Sequence, residues 1–169
     1  AIIDNAYQMC GATASFGDEG VDRQIRALTQ LGRGQDHLSR ADSLLAGATA
    51  AGTFDTLVRD DLIRSIVVSR FLLTEGVVDL PPAERTTFQE LSNSEAAQRL
   101  NGLEDTLLTS GKAGDAPPVD LDNWSPAYDT TAQQLRAFEI NATDALAEQA
   151  TPVAVRVMIR LGIAGLLGL

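Results

Sequence analysis

Apolar side chains recur with the 3.6-residue period of an α-helix along almost the whole chain, and no other feature constrains the fold as much. The first run follows Gly20 and ends near Gly52, a favoured helix stop. One face of this run holds Ile25, Leu28, Leu31, Leu38, Leu45 and Ala48. A β-branched stretch at residues 66–68 is also compatible with a short strand, but the length and flanks of its segment favour helix. We therefore predict an all-α fold.

Four more helices are predicted between the glycine and proline breaks. They cover residues 54–76, 81–91, 94–111 and 125–153. Pro82 suits a first helical turn, where its missing N–H costs nothing, and Ser94 is a favoured N-cap. The pair Ser125-Pro126 gives the same signal for the last helix. Because short loops join antiparallel neighbours, we predict an antiparallel four-helix-bundle-like domain with a long C-terminal helix.

The C-terminal helix runs into an apolar segment whose charged residues are Arg156 and Arg160. A transmembrane helix needs roughly 20 apolar residues, and we predict that residues 156–169 are the start of one. Residues 1–155 are then a helical domain outside the membrane. Pro152 lies inside the last helix and predicts a kink between the bundle and the membrane, because proline removes a backbone hydrogen bond and clashes with the preceding turn.

Charge and the scarcity of reactive side chains exclude several functions. The chain has 13 basic and 23 acidic residues and a formal net charge of -10. Nucleic acids and anionic lipids bind clustered positive charge, so neither is a predicted partner. One histidine and one cysteine do not supply a hydrolase triad or a thiolate metal cluster. We predict no catalytic residue, no metal and no cofactor in this chain.

Two charged residues, Arg70 and Asp42, stand where the helical period places apolar side chains. A buried charge without a partner is costly, so each needs one. One interpretation is an ion pair between Arg70 and Asp42 on neighbouring antiparallel helices. The other is that Arg70 donates to a small planar anion, helped by further arginines, namely Arg33, Arg40 or Arg64.

Several short segments occur in an order that is typical of one family. They are LSRADSLLAGA at residues 38–48, RFL at 70–72, LPPAER at 80–85, LED at 103–105 and PPVD at 117–120, followed by Trp124. Together they resemble the nitrate- and nitrite-sensing (NIT) extracytoplasmic domains of actinobacterial sensor histidine kinases, over roughly residues 28–169. Arg40 and Asp42 fit a Leu-Ser-Arg-Glu-Asp run of that family, with Ala41 in place of its glutamate.

The resemblance implies a dimeric, all-helical input domain on the extracytoplasmic side of the cell membrane, with nitrate or nitrite bound by arginines on the bundle helices. The candidate ligand-binding residues are Arg70, Arg40, Arg33, Arg64 and Ser39. The signal would pass along the last helix, through Trp124, Pro152 and Arg156, to a kinase outside this chain. The alternative is a helical dimerisation or protein-interaction module of a membrane protein that binds no small molecule.

Overall fold

The computed structural model describes the backbone of residues 19–167 and the side chains of residues 19–148. This part of the chain forms five helices and no strand. They are α1 (Glu19–Ala51), α2 (Thr56–Val78), α3 (Pro82–Ser92), α4 (Glu95–Ser110) and α5 (Leu121–Leu167). The prediction of an all-α fold is confirmed, and the β-branched stretch at residues 66–68 lies inside α2.

The helices form an up-down bundle in which the short α3 and α4, one after the other, take the place of a single helix. Pairs of contacts show the directions. Ser69 of α2 bonds Gly34 of α1, and further along α2 Gly76 lies against the earlier residue Leu31. Between α1 and α5, Gln35 bonds Ala132 and the later residue Asp42 bonds the earlier Trp124, so α1 runs antiparallel to both neighbours. Along α3 and α4, residues further on in the chain meet residues earlier in α5, as in the bond from Ser94 to Gln134. The short α3 and α4 together therefore run antiparallel to α5, and a four-helix-bundle-like arrangement results.

Most helix starts agree with the caps in the sequence, and the start of α5 does not. Asp55 caps α2, and the hydroxyl of Ser94 caps α4 by accepting from the backbone N–H of Ala97. We expected α5 to begin at Ser125-Pro126, but it begins at Leu121. Asp120 provides the earlier cap, because its carboxylate accepts from the backbone N–H of Asn123 at 2.8 Å and from the side-chain amide of Asn123 at 2.9 Å.

The core lies between α1, its two neighbours α2 and α5, and the pair α3 and α4, and it includes Phe88, Leu100 and Leu107. Its largest fully buried side chains include Trp124, Phe54, Leu31 and Leu45. A glycine lets α1 and α2 approach closely: a Cβ built on Gly34 would lie 2.9 Å from Cγ of Leu73. The pair α1 and α2 is therefore closely packed, and α5 packs against the α1 side of this pair and against α3 and α4.

The C-terminal part of α5 continues as helix through Pro152 and Arg156 to Leu167. The side chains of these two residues lie outside the described part. No helix within the described residues has a stretch long and apolar enough to cross a membrane. The boundary at residue 155 and the membrane segment at residues 156–169 stay predictions.

Candidate functional site

A cavity of about 80 Å³ lies inside the bundle, and all five helices contribute to its wall. The wall is largely apolar, with side chains that include Leu38, Leu73, Phe88, Leu100 and Leu135. Its polar members are Ser69, Arg70, Ser92, Asn101, Glu104 and Thr131. A molecule of liquid water occupies about 30 Å³, so the cavity has room for water or for one small anion.

Arg70 provides the positive charge of this cavity, and α4 supplies its partners. Its Nε donates to the Oε2 of Glu104 at 2.6 Å, and its Nη1 donates to the Oδ1 of Asp105 at 2.6 Å. The third bond runs from Nη2 to the backbone carbonyl of Asn101 at 2.8 Å. A guanidinium has five N–H groups, so these bonds leave two of them available to a ligand.

Burial acts differently on the two sides of this ion pair. The side chain of Glu104 is 3% exposed, whereas that of Arg70 is 34% exposed. Burial therefore raises the pKa of the Glu104 carboxyl, although Arg70 acts in the opposite direction. For Arg70, burial opposes the charge, but the bonds and charges of Asp105 and Glu104 outweigh it and raise the pKa of the guanidinium. The arginine is charged throughout the physiological range, and the glutamate is the group whose charge is unfavourable.

The predicted ion pair between Arg70 and Asp42 is wrong. Asp42 instead accepts a hydrogen bond from Nε1 of Trp124 at 2.9 Å, on the other side of the bundle. The indole is fully buried and needs an acceptor, and α1 presents Asp42 to α5 rather than to α2. Arg70 in turn lies on the side of α2 that faces α4, where Glu104 and Asp105 are the acceptors.

The remaining candidate residues lie outside the cavity. Arg40 and Arg64 are exposed and both contact Asp61, at 3.1 Å and 3.3 Å. Arg33 is half-buried on α1 and does not line the cavity. Ser39 is exposed, and its hydroxyl accepts from the hydroxyl of Tyr128 on α5 at 3.1 Å. The structure therefore brings none of the other predicted ligand residues to Arg70.

Trp124 belongs to a row of polar contacts that holds α5 against α1. Its ring stacks on that of Tyr128 with centroids 6.5 Å apart, and Tyr128 reaches Ser39. One turn further along, the side-chain amide of Gln35 donates to the carbonyl of Ala132 at 3.1 Å. The first three turns of α5, the helix predicted to carry the signal, are thus fixed to α1.

The sequence analysis did not assign a role to Glu104, although a signal was present. Ala97, Leu100 and Leu107 are buried at helical spacing in α4, and Glu104 occupies the same face. A carboxylate on an apolar face requires a cation from another helix, and Arg70 is that cation. Within the described residues, no group of three or more His, Cys, Asp or Glu side chains is placed to hold a metal ion.

A second perturbed carboxylate lies on α5, away from the cavity. Glu139 is half-buried, and its buried Oε1 has no hydrogen-bond partner among the described residues. Burial, together with the negative charge of Asp36, raises the pKa of Glu139 to about 7, against an opposing effect of Arg136. This group titrates near neutral pH.

Comparison with known proteins adds a family to this geometry. The sequence model of a family described as nitrate and nitrite sensing (NIT) matches residues 1–147. The match includes α1 to α4 and more than half of α5, together with the whole cavity wall. No curated protein matches the chain, and no solved structure does.

Proposed function

Because the chain belongs to the nitrate- and nitrite-sensing family, we propose that it binds nitrate or nitrite in the cavity beside Arg70. We further propose that it is the extracytoplasmic sensor domain of a membrane histidine kinase and that it works as a homodimer. In this proposal the chain performs no catalysis. Ligand binding changes the position of α5, and the kinase that responds lies outside this sequence.

One observation carries the anion proposal: Arg70 is a charged wall residue of a cavity that all five helices share. A guanidinium has the planar fork that suits a planar oxyanion, and the low polarity around it strengthens the attraction. Ser92 and Asn101 also line the cavity, and their side chains make no hydrogen bond within the described residues, so in this proposal they donate to the bound anion.

The proposed path of the signal runs from the cavity into α5. Thr131 and Leu135 of α5 line the cavity, about one and two turns beyond Tyr128, in the region where Ala132 still contacts α1. An anion between Arg70 and these residues would alter how α5 packs against α4. Since α5 continues as helix to Leu167, we propose that a shift at the cavity is passed along α5 toward its C-terminal end, past the kink predicted at Pro152.

The experiment is a thermal unfolding scan of the chain in sodium nitrate, nitrite, chloride and sulfate at equal ionic strength. A ligand that binds the folded state raises the midpoint by an amount that grows with its concentration over Kd. Nitrate or nitrite is expected to raise the midpoint above the chloride value, and Arg70→Ala is expected to abolish that difference.

Arg40→Ala is the matched control, because it removes a guanidinium that lies outside the cavity and is 59% exposed. It should retain the full nitrate effect. Arg70→Ala also leaves Glu104 without its cation, so the comparison uses the shift caused by nitrate within each variant rather than the midpoints themselves. Equal midpoints in all four salts for the unaltered chain would contradict anion sensing.

A second candidate function, a helical dimerisation module, is favoured by the outer face of α2. Seven residues of this face follow the alternating three- and four-residue spacing of a coiled-coil seam, and all seven are exposed. They are Leu57, Asp60, Arg64, Val67, Phe71, Thr74 and Val78. Leu57 is 77% exposed and Phe71 is 61% exposed, which is unusual for large apolar side chains. We call this face the α2 seam.

The α2 seam is self-complementary if two copies pair with their α2 helices parallel. Each seam residue then packs beside the same residue of the second copy, and Arg64 can also reach Asp60 of that copy, which lies one layer earlier in the seam. The same contact forms a second time by symmetry. Arg64 is 72% exposed, and its 3.3 Å contact with Asp61 is a weak surface ion pair that can be exchanged for one across the seam.

Sedimentation equilibrium tests this candidate. Phe71→Asp places a charge in the middle of the α2 seam and is expected to shift the chain from dimer to monomer. Ile140→Asp is the control, since Ile140 is 56% exposed on α5, outside the seam. A dimer of unchanged affinity in Phe71→Asp would exclude the α2 seam as the interface.

A further inference from the structure

Glu104 is already bonded to the guanidinium of Arg70, which is the group that an entering anion would need. Its Oε2 lies 2.6 Å from Nε of Arg70, and its side chain is a wall residue of the same cavity. An ionised Glu104 is therefore an internal anion already bound at Arg70. A second anion entering the cavity meets both the attraction of Arg70 and the repulsion of this carboxylate, in surroundings that screen charge poorly.

The charged groups that face Glu104 come from two helices. Arg70 extends from α2, and Asp105 is its neighbour on α4. The other three helices present uncharged side chains to the cavity, namely Leu38, Phe88, Leu91, Ser92, Thr131 and Leu135. Glu104 is thus balanced by Arg70 alone, and Asp105, which is 63% exposed, adds negative charge from the edge of the site.

We propose that Glu104 makes anion binding at Arg70 dependent on a proton: the ionised carboxylate competes for the guanidinium, and the protonated acid yields it to the anion. This inference rests on the proposed function and specifies how the same site is regulated. When the anion binds, one proton from solvent joins the carboxylate oxygen of Glu104. The resulting O–H is a donor, so the residue changes from competitor to ligand.

Burial is the physical reason that Glu104 rather than Asp105 plays this part. The buried carboxyl has a raised pKa even with Arg70 beside it, so protonation there is less costly than at an ordinary glutamate. An anion that binds Arg70 weakens the attraction between Arg70 and Glu104, and this raises the pKa of Glu104 further. Anion and proton therefore favour each other's binding, and by linkage the coupling is equal in both directions.

The charge balance also selects the class of anion. With Glu104 ionised, Arg70 and the two carboxylates together carry one net negative charge. A monovalent anion that binds with one proton leaves this net charge unchanged. A divalent anion such as sulfate would add one more negative charge to a cavity with a largely apolar wall, so a monovalent oxyanion is the ligand that fits.

Calorimetric titration of the unaltered chain with sodium nitrate tests the proton coupling directly. At constant ionic strength, the apparent affinity should rise by up to about tenfold for each unit of pH lowered from about pH 7.5 to about pH 5.5. Repeating the titration in buffers of different ionisation enthalpy should show net uptake of up to about one proton per nitrate. An affinity that does not change with pH, with no proton uptake, would overturn the inference.

Glu104→Gln gives an independent test, because the amide imitates the neutral acid. This variant should bind nitrate more tightly than the unaltered chain at about pH 7.5, and its affinity should not vary with pH. Glu139→Gln is the control, since Glu139 titrates at about 7 but lies outside the cavity. It should keep the pH profile of the unaltered chain.

The outcomes separate this inference from the function on which it rests. Nitrate binding that is independent of pH in the unaltered chain and in Glu104→Gln would leave an anion sensor and refute the role of Glu104. Absence of binding in both proteins at every pH would refute the anion sensor as well. If Glu104→Gln does not fold, the proton uptake measured with the unaltered chain decides the question.

Discussion

Replacing Glu139 by glutamine should stabilise the fold at neutral and alkaline pH. The carboxyl is half-buried on α5, its Oε1 has no hydrogen-bond partner, and Asp36 adds a like charge. The folded state therefore prefers the protonated form, and the pKa of Glu139 rises from 4.5 to about 7. Glutamine keeps the size of the side chain and removes the charge that the site disfavours.

The magnitude and sign follow from linkage. Each pH unit between the folded and unfolded pKa values corresponds to about 1.4 kcal/mol, so the change from 4.5 to about 7 sets an upper limit of about 3 kcal/mol. Below about pH 4.5 the carboxyl is protonated in both states and has no effect. Between about pH 4.5 and about pH 7 the carboxyl ionises in the unfolded state but not in the folded state, so the free energy of unfolding falls, and above about pH 7 the loss is complete. Partial solvation lowers the effect, and we expect 1 to 3 kcal/mol, roughly, at about pH 8.

Urea unfolding of both proteins at a series of pH values measures the difference. The free energies of unfolding should coincide near about pH 4.5 and separate progressively up to about pH 8, with Glu139→Gln the more stable. Asp36→Asn should give a smaller gain in the same range, because it removes one cause of the raised pKa and leaves the burial. If the free energies of unfolding of Glu139→Gln and the unaltered chain differed by a constant amount across this range, the raised pKa of Glu139 would be refuted.

Two further predictions concern the close contact of two helices and a buried hydrogen bond. Gly34→Ala should lower the free energy of unfolding by about 1 to 3 kcal/mol in urea unfolding, because its Cβ would lie 2.9 Å from Leu73. Gly102→Ala is the control: its Cβ has open space on α4, so it should raise the free energy of unfolding by about 0.5 to 1 kcal/mol. Trp124→Phe removes the donor to Asp42 from a fully buried position and should lower the free energy of unfolding by about 2 to 4 kcal/mol. Asp42→Asn keeps an acceptor and should lower it much less. Equal losses in the two variants would contradict a stabilising role of this hydrogen bond.

The helices could be predicted from the sequence because each buries one apolar face, and that face repeats with the helical period. Helix ends were predictable where one cap dominates, as at Ser94. They were missed where two signals compete: Asp120 precedes Ser125-Pro126 and its side chain satisfies the backbone N–H of Asn123, so α5 starts there. Pro126 then costs one backbone bond within a helix that is already formed.

The site was predicted only in part, for a physical reason. The apolar stripe around Arg70 shows that this charge faces inward, but it does not show which helix it faces. That depends on the order in which the helices pack, and α2 turns Arg70 toward α4 while α1 turns Asp42 toward Trp124. Arg40 fits the family pattern and Arg64 was a further candidate arginine, yet both face solvent and share Asp61.

The most direct test of the account is to observe the Nε–H group of Arg70 by nuclear magnetic resonance during a titration with nitrate. The account predicts that this resonance, identified by its loss in Arg70→Lys, shifts saturably with nitrate and not with chloride at equal ionic strength. Shifts at Arg40 and Arg64, with the Arg70 resonance unmoved, would contradict the proposal that the cavity between the five helices is the anion site.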